Sequence, residues 1–202
     1  MAEGRYIALE GGEGTGKSTH ARRLGEALDA VVTREHGGTP IGVLIRAILA
    51  DPVHHELTDK AEALLIAADR AQHLEELVEP ALASGRHVVS DRSVYSSLAY
   101  QGYGRGLPID EVRAVNEWAI GGRWPDLVVL LEVPPTQLDR RLRHRALDRF
   151  EQAGPEFHER VAAGFRALAA AEPERWAIVP ADGPIAEVEG RIREVVRQRL
   201  GL

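Results

Sequence analysis

The octapeptide Gly11-Gly12-Glu13-Gly14-Thr15-Gly16-Lys17-Ser18 constrains this chain more than any other stretch. It fits G-x-x-x-x-G-K-[ST] at every fixed position, with an apolar run, Tyr6-Ile7-Ala8-Leu9, before it and a helical pattern from Lys17 to Leu28 after it. The glycines let backbone N–H groups turn inward around phosphate oxygens. Lys17 reaches the β and γ phosphates, and the Ser18 hydroxyl offers a ligand to Mg²⁺. The helix that follows adds its positive N-terminal dipole, and Thr19 is grouped with the loop. These residues predict a nucleoside triphosphate, with magnesium, as the first ligand.

Short apolar runs alternate with longer helical patterns along the rest of the chain. Val31-Val32-Thr33-Arg34, His87 to Asp91, Leu127 to Val133 and Trp176 to Val179 read as further strands. Between them lie helical patterns at about 40–50, 58–83, 93–101, 108–120, 135–145 and 155–171, with a closing helix at about 184–199. Gly85 is a stop signal for the long helix. Strands separated by helices mean βαβ units, so the expectation is one three-layer α/β domain on a five-stranded parallel sheet. Ligands in such sheets collect at the carboxyl ends of the strands.

The composition excludes several classes. With 25 Lys plus Arg against 31 Asp plus Glu, the formal charge of −6 argues against coating nucleic acid, which draws its affinity from cations. The absence of cysteine rules out disulfides, thiolate catalysis and Cys-type zinc sites. No apolar run approaches the ~20 residues that a membrane span needs. A soluble, cytoplasmic protein is expected. The loop motif alone leaves an ATPase, a GTPase switch and a kinase open. No Asn-Lys-x-Asp base reader occurs in the chain, and a motor or helicase core would be longer, which leaves a small phosphotransferase.

Two further stretches follow strands, Thr33-Arg34-Glu35-His36-Gly37-Gly38-Thr39-Pro40 and Asp91-Arg92-Ser93-Val94-Tyr95-Ser96-Ser97-Leu98-Ala99-Tyr100-Gln101-Gly102. A third, Ala67-Ala68-Asp69-Arg70-Ala71-Gln72-His73, lies within the long helix. Asp91, at a strand end, is placed to orient Mg²⁺ or its water, though Asp there also reads as a helix cap. Arg92 offers paired hydrogen bonds to an acceptor phosphate, or to a surface carboxylate. No structural metal site is expected from His54, His55, His73 or His144.

Together with the phosphate loop, these stretches resemble the thymidylate kinase family over almost the whole chain. The resemblance implies the three-layer fold of P-loop nucleoside triphosphate hydrolases, a single domain over 1–202 with a short helical lid at about 138–152, and transfer of the γ-phosphate of ATP to dTMP. It also implies Mg²⁺ as cofactor and a homodimer built on the long helix and its neighbours. By resemblance, Arg70 reads the O4 edge of thymine, Glu13 contacts the 3′-hydroxyl of the acceptor sugar, and Arg34 adds charge near the transferring group. Ser97, Tyr100 and Gln101 line the base and sugar pocket. Ile66 stands where the family usually has a stacking Phe, and His36 where it usually has Pro. On its own, Ile66 equally reads as core packing, as do Tyr100 and Gln101.

The segment 138–149 holds Arg140, Arg141, Arg143, Arg145 and Arg149 against Asp139 and Asp148. Such a run is either a solvated helix face or a set of cations for the charge that phosphoryl transfer develops. The family draws catalytic arginines from the loop or the lid. With Gly14 in the loop, the lid is expected to supply them, through Arg143, Arg145 and Arg149 beside Lys17 and Arg92. A kinase for another nucleoside monophosphate, and an ATP-dependent regulatory switch, stay open as alternatives.

Overall fold

The computed structural model describes residues 4–134, 137 and 148–202. Five strands run parallel in the order β2-β3-β1-β4-β5: β1 is Tyr6–Glu10, β2 Val31–Arg34, β3 Val88–Asp91, β4 Leu127–Glu132 and β5 Trp176–Pro180. The three-layer α/β fold expected from the alternating pattern is the one observed. β1 and β4 are apolar on both faces because both faces are covered, as central parallel strands require.

Alternation along β1 splits the core in two. Ile7 and Leu9 face a cluster with Ala21 and Leu24 of α1 (Lys17–Leu28) and Val188, Ile192 and Val196 of the last helix, Ile185–Leu200. Tyr6 faces the other cluster, with Leu74, Leu82, Tyr95, Phe165 and Trp176. Burying one such aliphatic side chain contributes about 1.5–3 kcal/mol.

On this second face α2 (Pro40–Ala50) leads to α3 (Asp59–His73). Thr39 caps α2 by accepting from Gly42 N at 3.0 Å, and Thr58 caps α3 by accepting from Ala61 N at 3.4 Å. α3 passes through a π turn, Leu74–Val78, into α4 (Glu79–Ala83), so the long helical pattern is one rod with a widened turn. Gly85 ends it in the left-handed region, at φ 84°. α5 (Val94–Ser97) also widens into a π turn, Leu98–Gly104, where Arg105 N donates to Tyr100 O at 2.9 Å. α6 (Ile109–Ile120), α7 (Pro155–Ala171) and α8 (Ile185–Leu200) complete the layers. The helix expected near 135–145 falls almost wholly outside the described residues. Among the described residues, no helix is long and apolar enough to cross a membrane.

Candidate active site

The carboxyl ends of β1, β2 and β3 converge on two adjoining clefts. The loop after β1 turns through Gly11, Gly14 and Gly16, all at positive φ. A Cβ on Gly11 would lie 2.6 Å from Leu131 O, so the close approach to β4 also requires glycine there. Lys17 folds over the loop, its Nζ donating to Gly12 O at 2.7 Å, and burial followed by the nearby Arg92 pushes its pKa down. The Ser18 hydroxyl donates to the Asp91 carboxylate. A hydroxyl and a carboxylate in contact beside the phosphate loop are the hard oxygen donors that Mg²⁺ takes. This cleft, open to solvent, spans about 1030 Å³ with that solvent included, and is lined by Gly14, Gly16, Lys17, Ser18, Thr19, Arg34 and Asp91 among others.

The second cleft, about 500 Å³, is lined by Ile66, Arg70, Ser97, Tyr100 and Gln101, together with His36 and Phe150. Glu13 and Arg92 line both clefts and stand at their junction. Arg92 has φ 75°, a left-handed conformation costly for a residue with a Cβ, and its backbone N–H donates to Leu9 O at 3.0 Å. Its guanidinium donates to the Glu13 carboxylate, to Ser96 Oγ at 3.1 Å and to Tyr100 OH at 3.0 Å. Burial alone would lower its pKa, but Glu13, Tyr100 and Asp91 raise it far above the ordinary arginine value. The cation is permanent and held in place.

Glu10, at the end of β1, fixes the neighbourhood of Arg92. It is buried and accepts from Ser93 N, Ser93 Oγ and Ser96 Oγ at 2.7–2.8 Å, and burial raises its pKa. Ser96 therefore relays between Glu10 and Arg92.

Arg70 is almost fully buried. Its Nε donates to Glu35 at 2.7 Å, Nη1 to Ser97 Oγ at 2.8 Å and to Asn116 Oδ1, and Nη2 to Ser93 O at 3.1 Å. With a single acceptor among the described residues, Nη2 keeps an N–H for a ligand. Glu35 also contacts His73 Nδ1 at 3.1 Å. Burial pushes the Glu35 carboxyl up, but Arg70 and His73 override it and hold it down to about 2.

The structure thus brings together Lys17, Ser18, Asp91, Arg34, Glu13 and Arg92 around one cleft or the junction, and Ile66, Arg70, Ser97, Tyr100 and Gln101 around the other. Arg149, expected beside Lys17 and Arg92, instead has its guanidinium 2.6 Å from the buried carboxylate of Glu62. Arg141, Arg143 and Arg145 lie outside the described residues. Sequence reasoning missed Glu35, His73, Asn116, Phe150 and Arg46, which lines both clefts and donates to His36 O at 3.1 Å. Glu35 lies within the Thr33–Pro40 stretch and His73 ends the Ala67–His73 stretch, and that membership was the signal available for them; Arg46 falls in the helical pattern just after the first stretch.

A phosphate loop with its lysine and acid, joined through a fixed arginine to a second, partly apolar cleft, defines a phosphate-loop phosphotransferase that binds a nucleotide donor and a separate acceptor. The family model described as thymidylate kinase matches residues 9–192. The chain belongs to the thymidylate kinase family. The thymidylate kinase of Exiguobacterium sp. is 43% identical over 203 residues, covering 98% of this chain and 96% of its own length. That of Synechococcus sp. (strain JA-2-3B'a(2-13)) is 47% identical over 204 residues, with the same shares covered. The crystal structure of thymidylate kinase from Ehrlichia chaffeensis superposes with a TM-score of 0.81 at 27% identity, covering 96% of this chain and 99% of that one.

Proposed function

We propose that this chain transfers the γ-phosphate of ATP to dTMP, giving ADP and dTDP. The junction of the two clefts at Arg92 carries the reading, because a permanent cation shared by both is where an acceptor phosphate would meet the γ-phosphate. The loop amides and Lys17 hold the donor phosphates. Arg92 holds the acceptor phosphate, whose oxygen is already anionic and attacks phosphorus without a general base. The bond from the γ-phosphorus to the bridging oxygen breaks, and ADP leaves with its electron pair. Ser18 and Asp91 would hold Mg²⁺, which supplies charge neutralisation on the phosphates when bound. Arg70 offers its remaining N–H to the thymine O4, Glu13 faces the sugar, and Ser97, Tyr100 and Gln101 complete the pocket. Arg34, Arg143 and Arg145 add positive charge toward the transferring group.

A homodimer belongs to the same reading. Ile41, Leu44 and Ile48 form an exposed apolar stripe on α2, and Leu64 of α3 and Trp118 of α6 are also exposed, apolar surface that a second copy would cover.

A coupled ADP-release assay across dTMP, dUMP, dGMP and unphosphorylated nucleosides tests the function. dTMP is expected to be the preferred acceptor; ATP binding without acceptor-stimulated turnover would point to a switch. Lys17→Met should lower kcat by about 10²–10³ without unfolding the chain, as loss of a transition-state cation does. Arg92→Ala should chiefly raise the dTMP KM.

A further inference from the structure

Glu62, in the first turn of α3, is wholly buried. A carboxylate at that depth is costly unless it is paired. Side chains from separate parts of the chain answer it: Gln101 Nε2 donates at 2.8 Å, Arg105 donates through Nε at 3.2 Å and Nη2 at 3.0 Å, and Arg149 pairs with it through Nη2 at 2.6 Å. The Arg149 contact is ionic without the alignment of a hydrogen bond. α3 is capped by Thr58 independently of these partners. The chemistry proposed above uses neither Glu62 nor Arg105.

Two of these partners lead directly to the acceptor cleft. An ionised carboxylate only accepts hydrogen bonds, so Glu62 turns the Gln101 amide with its NH₂ inward and its carbonyl oxygen away. Gln101 lines the cleft, so a carbonyl is what its amide offers a base edge. A carbonyl pairs with an N–H and repels a ring-nitrogen lone pair. Arg149, for its part, is fixed by Glu62, by Nε donation to Leu49 O at 2.9 Å and by backbone donation to Ala50 O at 3.0 Å. Its guanidinium lies 4.8 Å from the centre of the Phe150 ring, and Phe150 is another wall of the same cleft.

We infer that Glu62 is a positioning residue for the acceptor base: it turns the Gln101 carbonyl toward the cleft and, through Arg149, seats Phe150, selecting a pyrimidine with an N–H at N3. This rests on the dTMP reading, since thymine carries that N–H.

The test is Glu62→Gln in the full chain, with initial rates on dTMP and on N3-methyl-dTMP, which lacks only that N–H. The variant amide can present NH₂ to Gln101, leaving the Gln101 amide free to turn over. The dTMP KM should rise about tenfold, the ATP KM and kcat should change by less than about twofold, and the preference for dTMP over its N3-methyl analogue should narrow by a similar factor. Unchanged KM and preference would overturn the proposal. So would equal losses of kcat/KM on both acceptors accompanied by a lowered Tm, the signature of a purely structural residue. Should Glu62→Gln not fold, Glu62→Asp keeps the charge but withdraws it from Gln101, and an unchanged preference there overturns the proposal in the same way. A wild-type enzyme inactive on dTMP would instead sink the underlying function, so the two failures are distinguishable.

Discussion

Ile66 faces the acceptor cleft where the family resemblance leads one to expect an aromatic ring, and the structure supplies rings from elsewhere. His36 and Phe150 line the same cleft, their centroids 5.6 Å apart and their planes at 35°. Burial, with Arg46 and Arg92 nearby, pushes the His36 pKa down to about 3, so the ring lining the cleft is uncharged at neutral pH. The substitution at position 36 and the substitution at position 66 thus meet in one cleft. Phe150→Leu should raise the dTMP KM about three- to tenfold, the worth of one aromatic contact beyond its area, and leave the ATP KM unchanged. Initial rates with each substrate varied in turn check this. An unchanged dTMP KM would mean that the base does not touch Phe150.

Among the elements, the two π turns were hidden from sequence reading. The apolar pattern from 58 to 83 reads as one helix and is one rod, but Leu74–Val78 widens it by a residue that three-and-four spacing absorbs without a break. The same holds at Leu98–Gly104, where the pattern suggests an end near 101. β1, α1, β2, α2 and α7 were legible because strong apolar runs and glycine or proline punctuation bound them. The second π turn packs tightly on α7: a Cβ on Gly104 would lie 2.6 Å from Phe157 and 2.8 Å from Val161, both buried side chains. Gly104→Ala therefore sets overpacking of about 1–3 kcal/mol against the ~1 kcal/mol that alanine gains over glycine in a helix. The expected result is a net loss of up to about 2 kcal/mol, seen as a lower urea midpoint with an unchanged m value.

At the scale of the whole molecule, a net charge of −6 coexists with a site built from cations, because Lys17, Arg34, Arg46, Arg70 and Arg92 are gathered at two clefts. The phosphate loop and the residues after each strand were legible, being contiguous. The ion pairs that tie the site together were not: Glu35 meets Arg70 across 35 residues and Glu62 meets Arg149 from the far end of the sheet's connections, and no spacing rule links such positions. One of these pairs also governs stability against acid. The folded-state pKa of Glu35, about 2, lies below its ordinary value of 4.5, so ionised Glu35 contributes stability that is complete above about pH 4.5 and is lost as the pH falls toward 2. Glu35→Gln leaves the buried Arg70 cation without its carboxylate, which should cost about 3–5 kcal/mol at neutral pH. Urea unfolding of both proteins from pH 7 downward should show the gap between them constant to about pH 4.5 and then closing as wild type surrenders the same term. A gap that stayed constant to pH 2 would mean that the loss in Glu35→Gln comes from packing and not from the charge.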